Sequence, residues 1–357
     1  MKTISRAILS AILLVLTGLL VAAAKAMPEA IFTEFYPEFS NGVLSFLAAV
    51  TSPLPFALWE VLALLLILWA VYTLIHCFRR GRGFVCWLAG LLLAFSAGLL
   101  AFVALWGLGH FGPTVGERMG LETRPYSTEE LYAAAVHYTD QANLYAAQVE
   151  RDADGVAVFP SFSQLAREAP EACAALPALW GSDLEVSDAR VKRLTAWPLY
   201  SYAGVTGIFV PLTGESSVNP DTFAASLPFT MCHEVAHRLG FPAEDDANFC
   251  AYLACSSSDS LAFRYSGAYS AFIYCYNALH ETNRDLAAEI WALASEELKA
   301  DCNAANAHYA QYEGAVQDAA QQVNDAYLKA FDQEDGVQSY GAVADYLIAW
   351  YLSGRAV

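Results

Sequence analysis

Three long apolar runs in the first third of the chain place the strongest constraint on its fold. They cover about residues 7–24, 57–78 and 84–108 and carry almost no charge. Each run is long enough to cross the ~30 Å hydrocarbon core of a bilayer as a helix, where a lone segment satisfies its backbone groups only by being helical. Buried helices of a soluble protein are the alternative, but uncharged runs of this length are unusual in soluble cores. We therefore predict a membrane domain over residues 1–108 and a second domain over residues 109–357.

Basic residues predict the orientation of these three helices. They flank the start of the first run and separate the second run from the third: Lys2, Arg6, Arg79, Arg80 and Arg82. The positive-inside rule places both groups on the cytoplasmic side, so residues 109–357 are expected outside the cytoplasm. The first run, followed by small residues at 21–26, also resembles a cleavable signal peptide. We favour an uncleaved span, and cleavage would leave the second domain on the same side.

The second domain is acidic. The chain has a formal net charge of -18, and only four of its 37 acidic residues precede residue 107. This charge argues against binding nucleic acid or anionic lipid and suits a solvated domain. Six of the 8 cysteines lie here without a CxxC pair, so we expect buried thiols, with disulfides as the alternative. The sequence does not indicate an oligomeric state.

The most informative short motif is His233-Glu234-Val235-Ala236-His237, an HExxH pattern. On a helix the two histidines are i and i+4, so their imidazoles leave the same face and are able to bind one zinc ion. Glu234 is placed to take the proton of a zinc-bound water, which is the chemistry of zinc hydrolases that cut peptide bonds. Pro228 is a suitable helix start and Gly240 a suitable end.

Glu244 is the predicted third metal ligand, giving one Zn²⁺ per chain. It lies seven residues after His237, at the start of a second helix that a tight turn would bring back to the metal. Asp245 and Asp246 are the rivals, Asp246 being the more serious, and simple capping of the helix by these acidic residues is the alternative. Asn248 is i+4 from Glu244 and is a candidate to hydrogen-bond a ligand imidazole.

Other residues are candidates for the rest of a peptidase site. Residues 205–211 have the composition of a strand, which is expected either to pair with a substrate backbone or to be an ordinary buried strand. A peptidase also needs a hydrogen-bond donor for the oxyanion. Tyr265 is our first choice for a second catalytic residue, ahead of Arg264, Tyr269 and His280. Glu215 and Asn219 are candidates either to line the cleft or to serve as capping and turn residues.

The pattern HExxH followed by Glu244-xx-Ala247-Asn248 resembles that of gluzincin metallopeptidases, although their glutamate usually lies further along the chain. A metzincin-type third histidine would fall at Ala243, which excludes that site. Nearly the whole chain resembles a bacterial membrane-protein family of unknown function, domain-of-unknown-function family 3810. The matching segments are 201–209 (SYAGVTGIF), 211–219 (PLTGESSVN), the HExxH stretch, 263–266 (FRYS), 327–329 (YLK) and 336–340 (GVQSY). The resemblance implies a zinc-dependent, peptidase-like protein anchored in the bacterial cell membrane.

Together these features predict a mainly α protein. Three transmembrane helices are expected to precede an extracytoplasmic α+β domain that is zincin-like and mostly helical. The predicted function is hydrolysis of peptide bonds in a peptide or protein substrate outside the cytoplasm, by a zinc-bound water that Glu234 activates. The alternative is a non-catalytic membrane sensor or scaffold with a structural or relic zinc site. The intact Glu234 favours the enzyme, because a structural site needs no base.

Overall fold

The computed structural model describes residues 2–32, 35–81, 83–182, 186–330 and 340–356. The prediction of a mainly helical chain with few strands is confirmed. Arg82 and residues 331–339 lie outside the described residues, and they include most of the 336–340 segment.

Five helices lie among the described residues of the first part of the chain. They are α1 (Lys2–Ala26), α2 (Pro28–Phe32), α3 (Phe35–Thr51), α4 (Leu58–Arg79) and α5 (Phe84–Leu105). Three of them, α1, α4 and α5, are long and apolar enough to cross a membrane, as the sequence predicts. Helix α5 ends three residues earlier than expected, and a short 3-10 turn over Gly107–Phe111 follows it.

The rest of the chain, as far as it is described, is a helical domain with a small sheet. Its helices are α6 (Val115–Arg118), α7 (Thr128–Ala146), α8 (Phe162–Cys173), α9 (Leu176–Leu179), α10 (Trp197–Tyr202), α11 (Leu227–Arg238), α12 (Glu244–Ser257), α13 (Leu261–Thr282), α14 (Arg284–Leu293), α15 (Glu296–Ala310), α16 (Ala315–Ala330) and α17 (Tyr340–Leu352). Its strands are β1 (Lys192–Arg193), β2 (Gly207–Val210) and β3 (Glu215–Val218).

The core of this domain lies around α7, α11, α12, α13 and α17. The last helix, α17, contributes Val343, Leu347 and Ile348 to it, and the Tyr138 hydroxyl donates to the carbonyl of Leu347 at 2.7 Å. The last helix is therefore part of the core of this domain. The six cysteines of the domain are all buried and free, which confirms the expectation of thiols: Cys173, Cys232, Cys250, Cys255, Cys275 and Cys302.

The segment between the first two membrane-length helices is not an isolated loop. In α3, Ser40 donates to the carbonyl of Leu105 at 2.6 Å, and Leu44 is buried against Trp106 and Phe209. The buried ammonium of Lys192 donates to three backbone carbonyls at the end of α3 and just after it, those of Thr51, Ser52 and Leu54. Residues 35–57, which the sequence assigns to the membrane domain, therefore pack directly on the helical domain.

The sheet has the order β1-β3-β2, so β2 is an edge strand. Strands β2 and β3 form an antiparallel hairpin in which Gly207 pairs with Val218 and Val210 with Glu215. Because side chains alternate along a strand, β3 contacts two different helices through its two faces. Ser216 donates to the carbonyl of Glu234 on α11 at 2.7 Å, whereas Glu215 and Ser217 contact the start of α4.

Glu215 caps the N-terminus of α4. Its carboxylate oxygens accept from the backbone N–H groups of Leu58 at 2.9 Å and Trp59 at 3.0 Å, which are among the N–H groups that a helix start leaves without a partner. The Trp59 indole donates to Ser217 Oγ at 3.0 Å. Of the two roles that the sequence left open for Glu215, the structure favours capping, and the cap fixes α4 to the sheet beside α11.

Candidate metal centre

Two helices joined by a tight reversal build the candidate site. Helix α11 has Pro228 in its first turn, where the missing N–H has no intrahelical partner to lose. After α11, Gly240 adopts a φ of +95°, a left-handed conformation that glycine takes at low cost. The chain then turns, and α12 begins at Glu244. The reversal brings the first residue of α12 back to the two histidines.

His233, His237 and Glu244 form a compact cluster. One potential ligand atom from each lies within 4.8 Å of the others. His233 Nε2 is 3.3 Å from Glu244 Oε2, and His237 Nε2 is 3.7 Å from Glu244 Oε1. Ligand atoms on one tetrahedral zinc ion stand about 3.3 Å apart, given bonds of about 2.0–2.1 Å. These spacings fit a single zinc ion with little rearrangement.

The outer nitrogens of both imidazoles are held by acceptors. Nδ1 of His233 lies 2.8 Å from Asn248 Oδ1, and Nδ1 of His237 lies 2.7 Å from the carbonyl oxygen of Phe241. A carbonyl only accepts, so each Nδ1 carries a proton and each Nε2 faces the cluster, where its lone pair would bind a metal ion. This is the support that zinc-binding histidines usually have, and it confirms the position expected for Asn248.

The electrostatics of the cluster favour one positive charge among its groups. Burial lowers the pKa of His233, but the hydrogen bond and charge of Glu244 outweigh it and set that pKa at about 9. Burial and the charge on His233 lower the pKa of His237 to about 4. Burial raises the pKa of Glu244, but His233 outweighs it and the value is about 2. A cation held between two imidazoles and one carboxylate satisfies all three groups.

Glu234 lies at the same site but does not join the cluster. It is 4% exposed, and none of the described residues hydrogen-bonds its Oε2 atom. Burial raises its pKa to about 8, because the charged form is desolvated. The backbone of Gly207 packs against this side chain so closely that a Cβ at position 207 would stand 2.7 Å from Glu234 Cδ. The glycine on β2 therefore leaves the space that the carboxylate occupies.

The cluster lies in a cavity of about 890 Å³. Its walls come from α11, α12, α13, α15, α16, β2 and the end of α5, and they include Phe102, Trp106, Ile208, Phe209, Ile273 and Tyr274. Edge strand β2 forms one wall beside Glu234, where its outer edge is able to hydrogen-bond an extended chain. The cavity is large enough for several residues of a peptide.

The structure distinguishes the rivals for the third ligand position. Asp246 is buried and turned away, and its Oδ1 accepts from Val115 N at 3.1 Å and from the Tyr346 hydroxyl at 2.9 Å. Burial raises its pKa to about 6. Among the described residues the metal-ligand group contains Glu244 and neither Asp245 nor Asp246. The turn after Gly240 sets the phase of α12, and that phase points Glu244 at the histidines.

Tyr265 is not brought to the site. Its ring is fully buried, and its hydroxyl donates to Asp301, which also pairs with Arg151 at 3.1 Å. Arg264 and His280 do not line the cavity either, whereas Tyr269 and Tyr274 do. Residues 265 and 269 lie one helical turn apart on α13, so sequence spacing alone could not separate them.

Asn219 takes a turn role, since its amide donates to Ser201 and to the Val205 carbonyl.

Three neighbours of the centre were missed by sequence reasoning. Trp106, just after α5, donates from its indole to the carbonyl of His237 at 2.9 Å. His110 packs edge-on to Trp106 with ring centroids 5.7 Å apart, and burial lowers its pKa to about 4. Gly207 is the third. A tryptophan at the end of an apolar run is a usable signal for a membrane boundary, but nothing in the sequence links it to His237.

Comparison with known protein families identifies a match over most of the chain. A family model described as "Protein of unknown function (DUF3810)" matches residues 33–348, which is most of the chain. Neither a curated protein nor a solved structure matches this chain.

Proposed function

The chain belongs to the DUF3810 family, and from the geometry of its metal centre we propose that it is a membrane-anchored zinc metallopeptidase that hydrolyses peptide bonds outside the cytoplasm. One observation carries the proposal. Two imidazoles and a carboxylate at zinc-ligand spacing share a cavity with a buried carboxylate oxygen that no described residue satisfies. A structural zinc site has no use for that fourth group, whereas a hydrolase requires it as a base.

His233, His237 and Glu244 would hold the metal through Nε2, Nε2 and a carboxylate oxygen. This is a common donor set of catalytic zinc sites, in which three protein ligands leave one position for water or substrate. Asn248 and Phe241 orient the imidazoles by accepting their Nδ1 protons. Bound zinc would supply Lewis acidity, which makes water a nucleophile near neutral pH and polarises the scissile carbonyl.

Glu234 would carry the proton in the reaction. Water adds to the carbonyl carbon of the substrate while Glu234 accepts a proton from it, and Glu234 then gives that proton to the leaving nitrogen as the C–N bond breaks. Oε2, which no described residue hydrogen-bonds, would be the accepting atom, because a cation at the neighbouring cluster would lower the raised pKa of Glu234 and favour its ionised form. Edge strand β2 would hold the substrate backbone extended across the cavity. Tyr269 and Tyr274, both on the cavity wall, take over from Tyr265 as candidate donors to the oxyanion.

The location rests on the ends of the membrane-length helices. Helix α4 begins at the helical domain and α5 ends there. The opposite ends of α4 and α5 carry basic residues: Arg79 and Arg80 end α4, while Arg6 of α1 donates to the Cys86 carbonyl at the start of α5. The positive-inside rule places this basic end in the cytoplasm. The helical domain with the metal centre then lies outside.

Metal content is the first test. We expect about one zinc per chain, measured by elemental mass spectrometry on the full chain in detergent. Zinc should be lost in His237→Ala and Glu244→Gln, because each removes one ligand. A folded wild-type chain without zinc would refute the metal assignment.

The second test separates the enzyme from a non-catalytic zinc protein. Glu234→Gln should keep the zinc, because residue 234 is not a ligand, and should abolish peptide hydrolysis, because the amide cannot act as a base. Hydrolysis is measured by mass spectrometry on a mixed-sequence peptide library, with the zinc content of each variant as the control. A Gln variant as active as wild type would remove Glu234 from the mechanism. Bound zinc without hydrolysis in the wild type would favour the sensor or scaffold.

A further inference from the structure

Two tryptophans fix the height of the metal centre relative to the membrane-length helices. Trp106 is the first residue after α5, and its indole donates to His237, a ligand residue. Trp59 is in the first turn of α4, and its indole donates to Ser217 on β3. The neighbouring residue of β3, Ser216, bonds to the backbone of Glu234. Both helices are thus joined at their domain ends to the elements that carry the site.

These contacts leave the site very close to the bilayer surface. A 22-residue helix such as α5 is about 33 Å long, which matches the ~30 Å hydrocarbon core, so its end lies at the membrane boundary. The indole of Trp106 and the imidazole of His237 have centroids 5.7 Å apart. Phe102, one turn inside the end of α5, is itself part of the cavity wall. The cavity therefore reaches down to the edge of the hydrocarbon region.

The surface beside the cavity is also apolar. Residues 203–205 of the cavity wall directly follow α10, on which Leu199 is 72% exposed and Tyr202 is 51% exposed. The backbone before α10 is tied to α4, because Glu60 accepts from the N–H groups of Thr195 and Ala196 at 2.8 and 3.1 Å. Apolar side chains held at the end of a membrane helix face lipid more favourably than water.

We propose, on the basis of the proposed function, that the substrate is a membrane-anchored polypeptide cut just outside the bilayer, within about two to six residues of the end of its own span, at ~3.3 Å per extended residue. The substrate span would remain in the bilayer, beside the lipid-facing side of α5. The extended segment that leaves it would enter the cavity past Phe102 and lie along β2. A soluble peptide lacks this anchoring, so its effective concentration at the cavity is lower than that of a membrane-anchored segment.

Three peptide libraries test this proposal on the full chain in zinc-loaded proteoliposomes. The first carries a randomised segment of about 12 residues directly after a single Leu/Ala span, and the second is the same segment as a free peptide. In the third, a flexible spacer of about 15 residues separates the segment from the span, for a mean reach of about 20 Å. Mass spectrometry gives the rate and the position of each cut.

We expect the directly anchored library to be cut at least about tenfold faster than the other two, with sites clustered two to six residues from the span. Equal rates for free and anchored libraries, or cuts spread evenly along the segment, would overturn the inference and leave the proposed peptidase intact. If the wild-type chain cuts none of the three libraries and so behaves like Glu234→Gln, the proposed function is overturned, and the inference with it.

Photocrosslinking gives a readout that needs no catalysis. In the Glu234→Gln chain, p-benzoylphenylalanine replaces Phe102 at the cavity or Phe95, which lies two turns lower on the same face of α5 and is 63% exposed. We expect position 102 to crosslink the first residues outside the span of the anchored probe, and position 95 to crosslink the span itself. Leu144 on α7, which is exposed and does not line the cavity, is the control position. Equal crosslinking at positions 102 and 144 would contradict entry of the substrate into the cavity from the bilayer past Phe102.

Discussion

Asp246→Asn is the substitution that most directly tests how the two acidic neighbours in α12 differ. Asp246 is 5% exposed, and its pKa is raised from 3.8 to about 6 by burial. Because the pKa of Asp246 is higher in the folded state than the ordinary value of 3.8, protonation of this carboxyl stabilises the folded state, and this stabilisation is fully present below pH 3.8. That stabilisation is lost as the pH rises through about 6. The ionised side chain therefore destabilises the protein at neutral pH.

The magnitude follows from the pKa of Asp246. At about 1.4 kcal/mol per pKa unit, a pKa raised from 3.8 to about 6 makes the buried charge cost the folded state about 3 kcal/mol at pH 8. The substituted asparagine would be neutral, and its carbonyl oxygen is able to accept the same two hydrogen bonds, from Val115 N and the Tyr346 hydroxyl. We expect Asp246→Asn to be more stable than wild type by up to about 3 kcal/mol at pH 8, and by about half of that at pH 5.

Asp246→Ala is the matched variant. It removes the charge and also leaves the Val115 N–H and the Tyr346 hydroxyl without their acceptor, at about 1–3 kcal/mol for each group. We therefore expect Asp246→Ala to be less stable than Asp246→Asn at every pH. The difference between the two variants measures the hydrogen bonds, because neither of them carries the charge.

The assay is thermal unfolding of the full chain in detergent between pH 5 and pH 8, with zinc content measured on the same samples. For a domain of this size, about 3 kcal/mol corresponds to about 6–12 °C in the melting midpoint. Asp246→Asn should keep its zinc, whereas Glu244→Gln should lose it. A stability difference that does not change with pH would refute the buried-charge reasoning. Loss of zinc in Asp246→Asn would make Asp246 the third ligand.

The remaining predictions concern the surroundings of the metal. Gly207→Ala should lower kcat/KM about 100-fold with zinc retained, because the added Cβ displaces the Glu234 carboxylate by a distance that matters for catalysis. Gly267→Ala is the matched variant, because its Cβ also meets a buried side chain, Cys255 at 2.7 Å, but outside the cavity wall. It should cost stability and leave activity per folded chain unchanged, and equal losses of activity in the two variants would refute the specific role of Gly207. Asn248→Ala should weaken zinc affinity about 10–100-fold in a chelator competition, and unchanged affinity would show that the bond to His233 does not support the metal.

The oxyanion prediction shows where local sequence reasoning fails. Tyr265 and Tyr269 lie on the same helix, in the same aromatic-rich stretch, and nothing in the sequence ranks them. The packing of α13 against α11 and α15 decides which one meets the cavity. It directs Tyr265 to Asp301 and Tyr269 to the cavity wall.

The sequence by itself determined the features that depend on short spacing. The lengths of α1, α4 and α5 follow from uninterrupted apolar runs, and the shared face of His233 and His237 follows from the helical repeat. Glu244 was selected only by the expectation of a tight turn after Gly240. These features are local, so they are present in the chain before any two distant segments meet.

The tertiary structure alone decided what surrounds the candidate metal centre. The phase of α12 chose Glu244 over Asp246, the hairpin placed Gly207 against Glu234, and Trp106 joined the metal helix to the end of α5. Each contact links segments that are separated along the chain and brought together by packing. Helical and strand periodicity gives the face on which a residue lies, whereas the partner on that face depends on how whole elements pack in three dimensions.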